Sequence, residues 1–229
     1  MQTRSDIPHV LYGAQQDYKR LYYSEELAAL KVPVTLQAGY GVLRMGIALS
    51  KNLSAAGNIG KCLPYNPTSF TGVEDHPGRA YLVADNAGSA YTVNVSMEDS
   101  YKFAVGDDLI INDDTTTAEN LGAITEIDRT TYATYAVITH TTVAGATPFT
   151  TARFAYVCVE AGTNTNLYSD GVGILEKSVD TCVGQYAKGA LATLILGNCV
   201  LNTGMLTNVD SAFKTDVSAS TFGNYTYIR

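Results

Sequence analysis

The stretch VGDDLIINDDTTTAENLGAITEID, residues 105–128, decides the fold class. Two runs rich in β-branched and apolar residues, DLIIN and LGAITEID, flank a polar turn over Asp113–Asn120. Such runs, bounded by Asp, Asn and Thr, read as antiparallel strands. Ile124 and Ile127 lie three apart and break strict alternation, so a bulge is expected in AITEID. The stretch also carries seven carboxylates: Asp107, Asp108, Asp113, Asp114, Glu119, Glu126 and Asp128. A calcium loop needs tightly spaced oxygens and a glycine at its sharp turn. Here Asp113 and Asp114 are adjacent, Glu119 follows five positions later, and no glycine stands between them. A glycosidase pair needs two carboxyl groups facing across a cleft. Nothing in the spacing supplies that, and the chain has no Trp for a sugar platform. The carboxylates are therefore expected at turns and on outward strand faces, with no metal and no reaction.

Working outward, strand-like runs recur at RAYLVAD, AYTVNVSM, ATYAVITHT and RFAYVCVEA. Turn-like segments separate them at Asn86–Gly88 and Val143–Thr147. This rhythm predicts a small barrel or sandwich over residues 79–160. The same span holds eleven acids against Arg79, Lys102, Arg129 and Arg153, so the chain's whole net charge of −7 falls within it. The remainder is neutral, which argues for a module boundary. No basic stripe is present, so nucleic acid is not an expected partner.

A chain of 229 residues can bury a substantial core, and its apolar runs are too short to span a membrane as a helix. No signal-peptide pattern opens it, so synthesis and retention in a cytoplasm are expected. Cys62, Cys158, Cys182 and Cys199 lack metal-binding spacing, which predicts reduced thiols and no cofactor. Cys182, in a loop, is the best placed to cross-link. His9, His76 and His140 lie in separate segments, without a nucleophile elbow. AGNIGK at 56–61 fails the spacing of a phosphate loop.

Residues 1–35 read as a Tyr-rich polar arm with one short helix at SEELAALK, where Ser24 can cap. Residues 36–72 and 170–229 share a second style. In the first block, Met45, Ile47 and Leu49 recur at period two. The second block has a strand at GVGILEKSVD, a loop, and a long strand LATLILGNCVLN that is apolar on both faces. A short helix in MLTNVDSAFKTDV and a last strand FGNYTYIR follow. The expected architecture is mainly β: a discontinuous core of 36–72 with 170–229, and an inserted acidic β-module at 79–160.

In order and spacing, Gly41–Leu49, Gly60–Pro67, Val172–Asp180 and Ala190–Leu201 resemble the head decoration protein of lambda-like tailed bacteriophages. The resemblance covers roughly 110 residues in two blocks, and about 95 residues stand where that family has a short loop. It implies a non-enzymatic cement protein that binds the expanded head from outside, as a homotrimer on the major capsid protein. It implies an N-terminal arm whose strand extends the capsid's β-structure, with Tyr22, Tyr23, Val32, Val34, Leu36 and Tyr40 as contact residues. The apolar strand, represented by Ile195, Cys199 and Leu201, is either monomer core or trimer seam. Host-surface attachment to a glycan or protein, or a place in the tail or baseplate, are the alternative roles.

Overall fold

In the computed structural model the described residues are Leu21, 29–53, 57–67, 76–113, 118–142, Gly145, 148–161, 170–219 and 225–228. Four strands precede the acidic segment: β1 (Leu30–Leu36), β2 (Val42–Leu43), β3 (Ala48–Lys51) and β4 (Cys62–Pro64). Six lie within it: β5 (Ala80–Tyr81), β6 (Thr92–Ser96), β7 (Asp108–Asn112), β8 (Glu119–Asp128), β9 (Tyr135–His140) and β10 (Tyr156–Val159). Five follow: β11 (Gly171–Leu175), β12 (Val179–Asp180), β13 (Ala190–Gly197), β14 (Cys199–Asn202) and β15 (Tyr225–Ile228). An α-helix, α1 (Ser211–Ala219), lies between β14 and β15.

The flanking segments build a closed barrel in the order β1-β13-β11-β3-β4. It closes where β1 meets β4 in parallel, Leu36 beside Cys62. Residues 30–36 follow the period-two rule: Lys31, Pro33 and Thr35 are exposed, while Val32, Val34 and Leu36 pack on the core. Pro33 is tolerated because β4 pairs only with the strand's end, so no ladder bond is needed beside the proline. The expected arm thus overlaps the barrel. Val32, Val34 and Leu36 are paired with Leu194, Ala192 and Ala190 of the same chain.

The acidic segment forms a six-stranded sheet, β5-β10-β7-β8-β9-β6. Its two edges meet at the Leu82–Val95 bridge, with Val83 N donating to Asn94 O at 3.0 Å. The result is a nearly closed second barrel. β9 alternates half-buried and buried along its length. β7 and β10 do not: Leu109, Ile111, Val157 and Val159 face the barrel interior, while Ile110, Tyr156 and Cys158 form a separate cluster with Ala118. Buried on both faces, DLIIN reads as a continuous apolar run. The bulge in AITEID is present as a register shift between Ile124 and Glu126.

One apolar cluster joins the two barrels: Leu36, Tyr40, Leu49 and Leu63 pack with Leu82, Val93, Leu109 and Phe149. A second lies between the first barrel and α1, where Tyr65, Ile174, Ile195, Cys199, Leu201, Phe213 and Val217 are buried. Tyr65 and Phe213 meet edge to face, 5.2 Å between centroids. A Cβ at Gly171 would collide with the Phe213 ring, so this position admits only glycine at the present spacing.

Three sequence expectations need correction. The helix expected in 205–217 begins later, at Ser211, because Asp210 caps it by accepting from Phe213 N at 2.7 Å. The long strand 191–202 breaks at Asn198, which takes a left-handed φ of 55° and ends β13. Met45 lies in a turn before β3 rather than on the strand, because Gly46 (φ 85°) presses its backbone on Met205. The helix expected at SEELAALK falls on residues that are mostly outside the described ones, and Leu30 and Lys31 at its end belong to β1.

Candidate functional site

Both barrels are built from paired strands, so the distinctive chemistry lies at their seam. On one side Asp107, fully buried, accepts four hydrogen bonds with its carboxylate. The donors are Asn52 Nδ2 (2.9 Å), Asn58 N (2.8 Å), Asn58 Nδ2 (3.0 Å) and Ala104 N (2.9 Å). Asn52 and Asn58 belong to the β3–β4 connection of the first barrel. Gln37 completes the clasp: its Nε2 donates to Lys102 O at 2.6 Å, and its Oε1 accepts from Asn52 at 3.4 Å. A buried carboxylate is costly unless its lone pairs are used. Four donors from both modules meet that need.

A second polar cluster holds the chain where it enters the acidic module. Arg79 Nε donates to Asn66 Oδ1 at 3.0 Å, and its guanidinium lies 4.4 Å above the Tyr156 ring. Asn112 Nδ2 donates to Tyr156 Oη at 3.2 Å, and Lys102 Nζ to Arg79 O at 2.7 Å. His76 is buried beside them. Burial first, then the Arg79 charge, pulls its imidazole down to about 3, so it stays neutral at physiological pH. Glu160, at the module's exit, is also buried. Burial first, then the neighbouring Asp108, pushes its carboxyl up to about 7, and Asn120 Nδ2 donates to it at 2.7 Å.

The seam opens into a groove. A hollow of about 490 Å³ lies between Tyr40, Val42, Arg44 and Val183 on one wall and Glu98, Asp99 and Lys102 on the other. A second, of about 480 Å³, continues it past Met45, Ser178 and Met205. The two share Val42, Arg44 and Thr207. Val42 is 63% exposed and Val183 43%, a high exposure for apolar side chains beside a charged groove. Lys102 is paired with Asp99 at 2.6 Å. Arg44 and Glu98 make no side-chain hydrogen bond or ion pair among the described residues.

The carboxylates of 105–128 therefore divide. Asp128 turns the β8–β9 loop by accepting from Thr130 N at 2.8 Å, and Glu126 is exposed, as expected of turn and strand-face acids. Asp107 and Asp113 are buried instead, 0% and 2% exposed. Asp114 lies outside the described residues. Among the described residues no group of three or more His, Cys, Asp or Glu is placed to hold a metal ion.

The remaining candidates also divide. Tyr22 and Tyr23 lie outside the described residues. Tyr40 is 5% exposed and packs in the shared core beside the groove. Ile195, Cys199 and Leu201 are buried between barrel and helix within one chain. Cys62, Cys158, Cys182 and Cys199 are all free thiols. Burial raises Cys158 to about 12 and Cys62 and Cys199 to about 11, which keeps these three protonated. Cys182, half-buried, takes a left-handed φ of 51° in the loop beside Val183.

No family model, no curated protein and no solved structure matches the chain. No described helix is long and apolar enough to cross a membrane.

Proposed function

We propose that the protein is a capsid decoration protein of a tailed bacteriophage, binding the outside of the expanded head as a trimer. The observation that supports this most is the convergence of the resembling segments. Gly41–Leu49, Gly60–Pro67, Val172–Asp180 and Ala190–Leu201 supply β2 to β4 and β11 to β14. Although the acidic module separates them in sequence, they pair with one another: β11 with β3 and β13, β3 with β4, and β12 with β2. The terminal helix and final strand follow in the order the resemblance implies. The charge partition supports an outward-facing insert, because an acidic barrel is repelled by packaged DNA.

On this reading the capsid contacts come from exposed surface, since strand 30–36 is already paired. Leu191 on β13 is 81% exposed, and Tyr186, three residues past Val183, is 75% exposed. Aromatic and aliphatic side chains of this kind anchor interfaces. The test is co-sedimentation with undecorated expanded heads and with unexpanded procapsids of the same phage. Saturable binding to expanded heads alone supports the reading, and Leu191→Asp is expected to weaken it at least tenfold. Absence of binding to either particle overturns it.

One observation favours a second role for the insert. Tyr132 and Tyr135 stack at 4.4 Å with an 18° tilt in the β8–β9 hairpin, and Tyr132 is 43% exposed. An open tyrosine face can take a sugar ring, so host-glycan attachment is the alternative. Binding to a glycan array that is lost in Tyr132→Ala would move the weight to it.

A further inference from the structure

The groove at the seam and the turn at its rim form one patch. The short turn Gly184–Tyr186 packs against the turn Asp99–Lys102, and Asp99 and Lys102 stand in the insert's wall of the groove. A Cβ at Gly184 would lie 3.9 Å from Glu98 Cγ, and Tyr186 N donates to Val183 O at 3.3 Å. Tyr186 therefore stands at the end of the groove that holds Glu98 and Val183. It is 75% exposed, more than any other aromatic residue among the described ones. Arg44 and Val42 lie where this hollow runs on into the second one, and Glu98 does not.

The charges of the patch sum to zero but are separated. Lys102 and Asp99 neutralise each other as a pair. Arg44 and Glu98 are exposed, belong to opposite walls, and make no side-chain hydrogen bond or ion pair among the described residues. One end thus carries Tyr186 with an unpaired anion. The other carries an unpaired cation with Val42, itself 63% exposed. Such a surface is complementary to itself. When a second copy is turned about a two-fold axis, the Tyr186–Glu98 end of each meets the Arg44–Val42 end of the other. The same patch serves both partners, so the assembly closes as a dimer and does not grow.

We propose that this patch is an interface between two copies of the chain. Tyr186 of each copy enters the other's groove over Val42, and Glu98 of each pairs with Arg44 of the other. An arginine suits both contacts, because its planar head stacks on a ring while its edge meets a carboxylate. The hollow of about 490 Å³ has room for a tyrosine side chain. The two exchanged rings bury about 300–500 Å² together, which places the contact in the weak class that assembles with concentration. The inference is independent of the capsid reading, and on that reading it leaves Leu191 to face the head.

The test is sedimentation velocity of the full chain at low salt over a wide range of concentration. A monomer–dimer equilibrium is expected, weakened by added salt. Arg44→Glu and Glu98→Arg should each weaken dimerisation at least tenfold, because each sets like charges opposite one another twice. An equal mixture of the two variants should recover the parent's affinity, since one then presents two anions and the other two cations. Native mass spectrometry with one variant isotope-labelled identifies the mixed pair, and its recovery shows that both variants are folded. Tyr186→Ser should weaken the parent at least tenfold, with no rescue by either charge variant. A chain that stays monomeric at every concentration overturns the proposal, as does a mixture that associates no better than its components. An oligomer that ignores all three substitutions also overturns it, while leaving the capsid reading standing.

Discussion

The two barrels reach similar shapes by different routes. In the insert, β7 pairs with β8 and β8 with β9, so the middle of its sheet joins neighbours in sequence, while β5, β6 and β10 pair with strands farther along the chain. In the first barrel β1 pairs with β13, Val34 opposite Ala192, and Leu36 opposite Ala190. Closing such distant contacts costs chain entropy that local hairpins avoid. The insert lowers that cost, because its first and last strands are neighbours, Ala80 opposite Val157. Once it is folded, the long excursion between β4 and β11 behaves as two short linkers. The acidic module is thus a part of the first barrel's closure and not a passenger on it.

This comparison can be broken most directly at the clasp. Asp107→Ala leaves the buried Asn52 amide and the half-buried donors of Asn58 and Ala104 without their acceptor. A loss of about 3–5 kcal/mol is expected. Thermal unfolding by calorimetry reads it: one shifted transition means the barrels unfold together, and two transitions mean the clasp was their coupling.

Gly39 probes the same seam through the backbone. Its φ is 91°, and a Cβ there would lie 2.6 Å from Tyr101 O. Gly39→Ala is expected to cost about 2–3 kcal/mol in urea unfolding, from the left-handed conformation and the forced separation together. A neutral result would mean that the barrels can slide apart without penalty.

Glu160 belongs to the insert alone and gives a pH signature. Its folded value of about 7 lies above the ordinary 4.5. Between those values the folded state holds a proton that the unfolded state has released, so this group's contribution falls as pH rises from about 4.5 to about 7. Glu160→Gln keeps an acceptor for Asn120 and removes the charge. It is expected to match the parent at pH 4 and to exceed it by about 1–3 kcal/mol at pH 8, read as the difference in denaturation midpoints. Asp108 on β7 and Asp170 before β11 also raise the Glu160 value, so the measurement is best made with both intact.

The smallest effect is expected in the first barrel. Tyr65 Oη donates to Asp210 Oδ1 at 3.0 Å, and the same oxygen caps α1. Tyr65→Phe should cost about 1 kcal/mol, because the cap survives. A loss as large as that of Asp107→Ala would show that the helix, rather than the clasp, governs the fold.

The insert was legible in the sequence because its strands alternate and its turns are marked. TYAVITH and AYTVNVSM show period two, and the broken period in AITEID marks a bulge. The barrel strand 30–36 was not legible as such. Its partner lies near residue 194, and nothing local distinguishes a strand paired at home from one awaiting a partner. Nor was Asp107 distinguishable from Asp108 beside it. One is buried under Asn58 from a turn 49 residues earlier, and only the folded chain brings that turn over it. The groove was invisible for the same reason, since Arg44 and Glu98 come from different barrels.

Leu49 is flanked by Pro64 on one side and Gly173 on the other. Two strand spacings, about 10 Å, separate these posts. That gap is the doorway through which the whole acidic barrel leaves and returns. A doorway so narrow accepts any cargo whose own ends lie side by side, and a bridge of about three residues could shut it. The scaffold is in this sense a display mount: other compact domains could be spliced between Pro64 and Gly171, provided that something replaces Asp107 as the acceptor for Asn52 and Asn58.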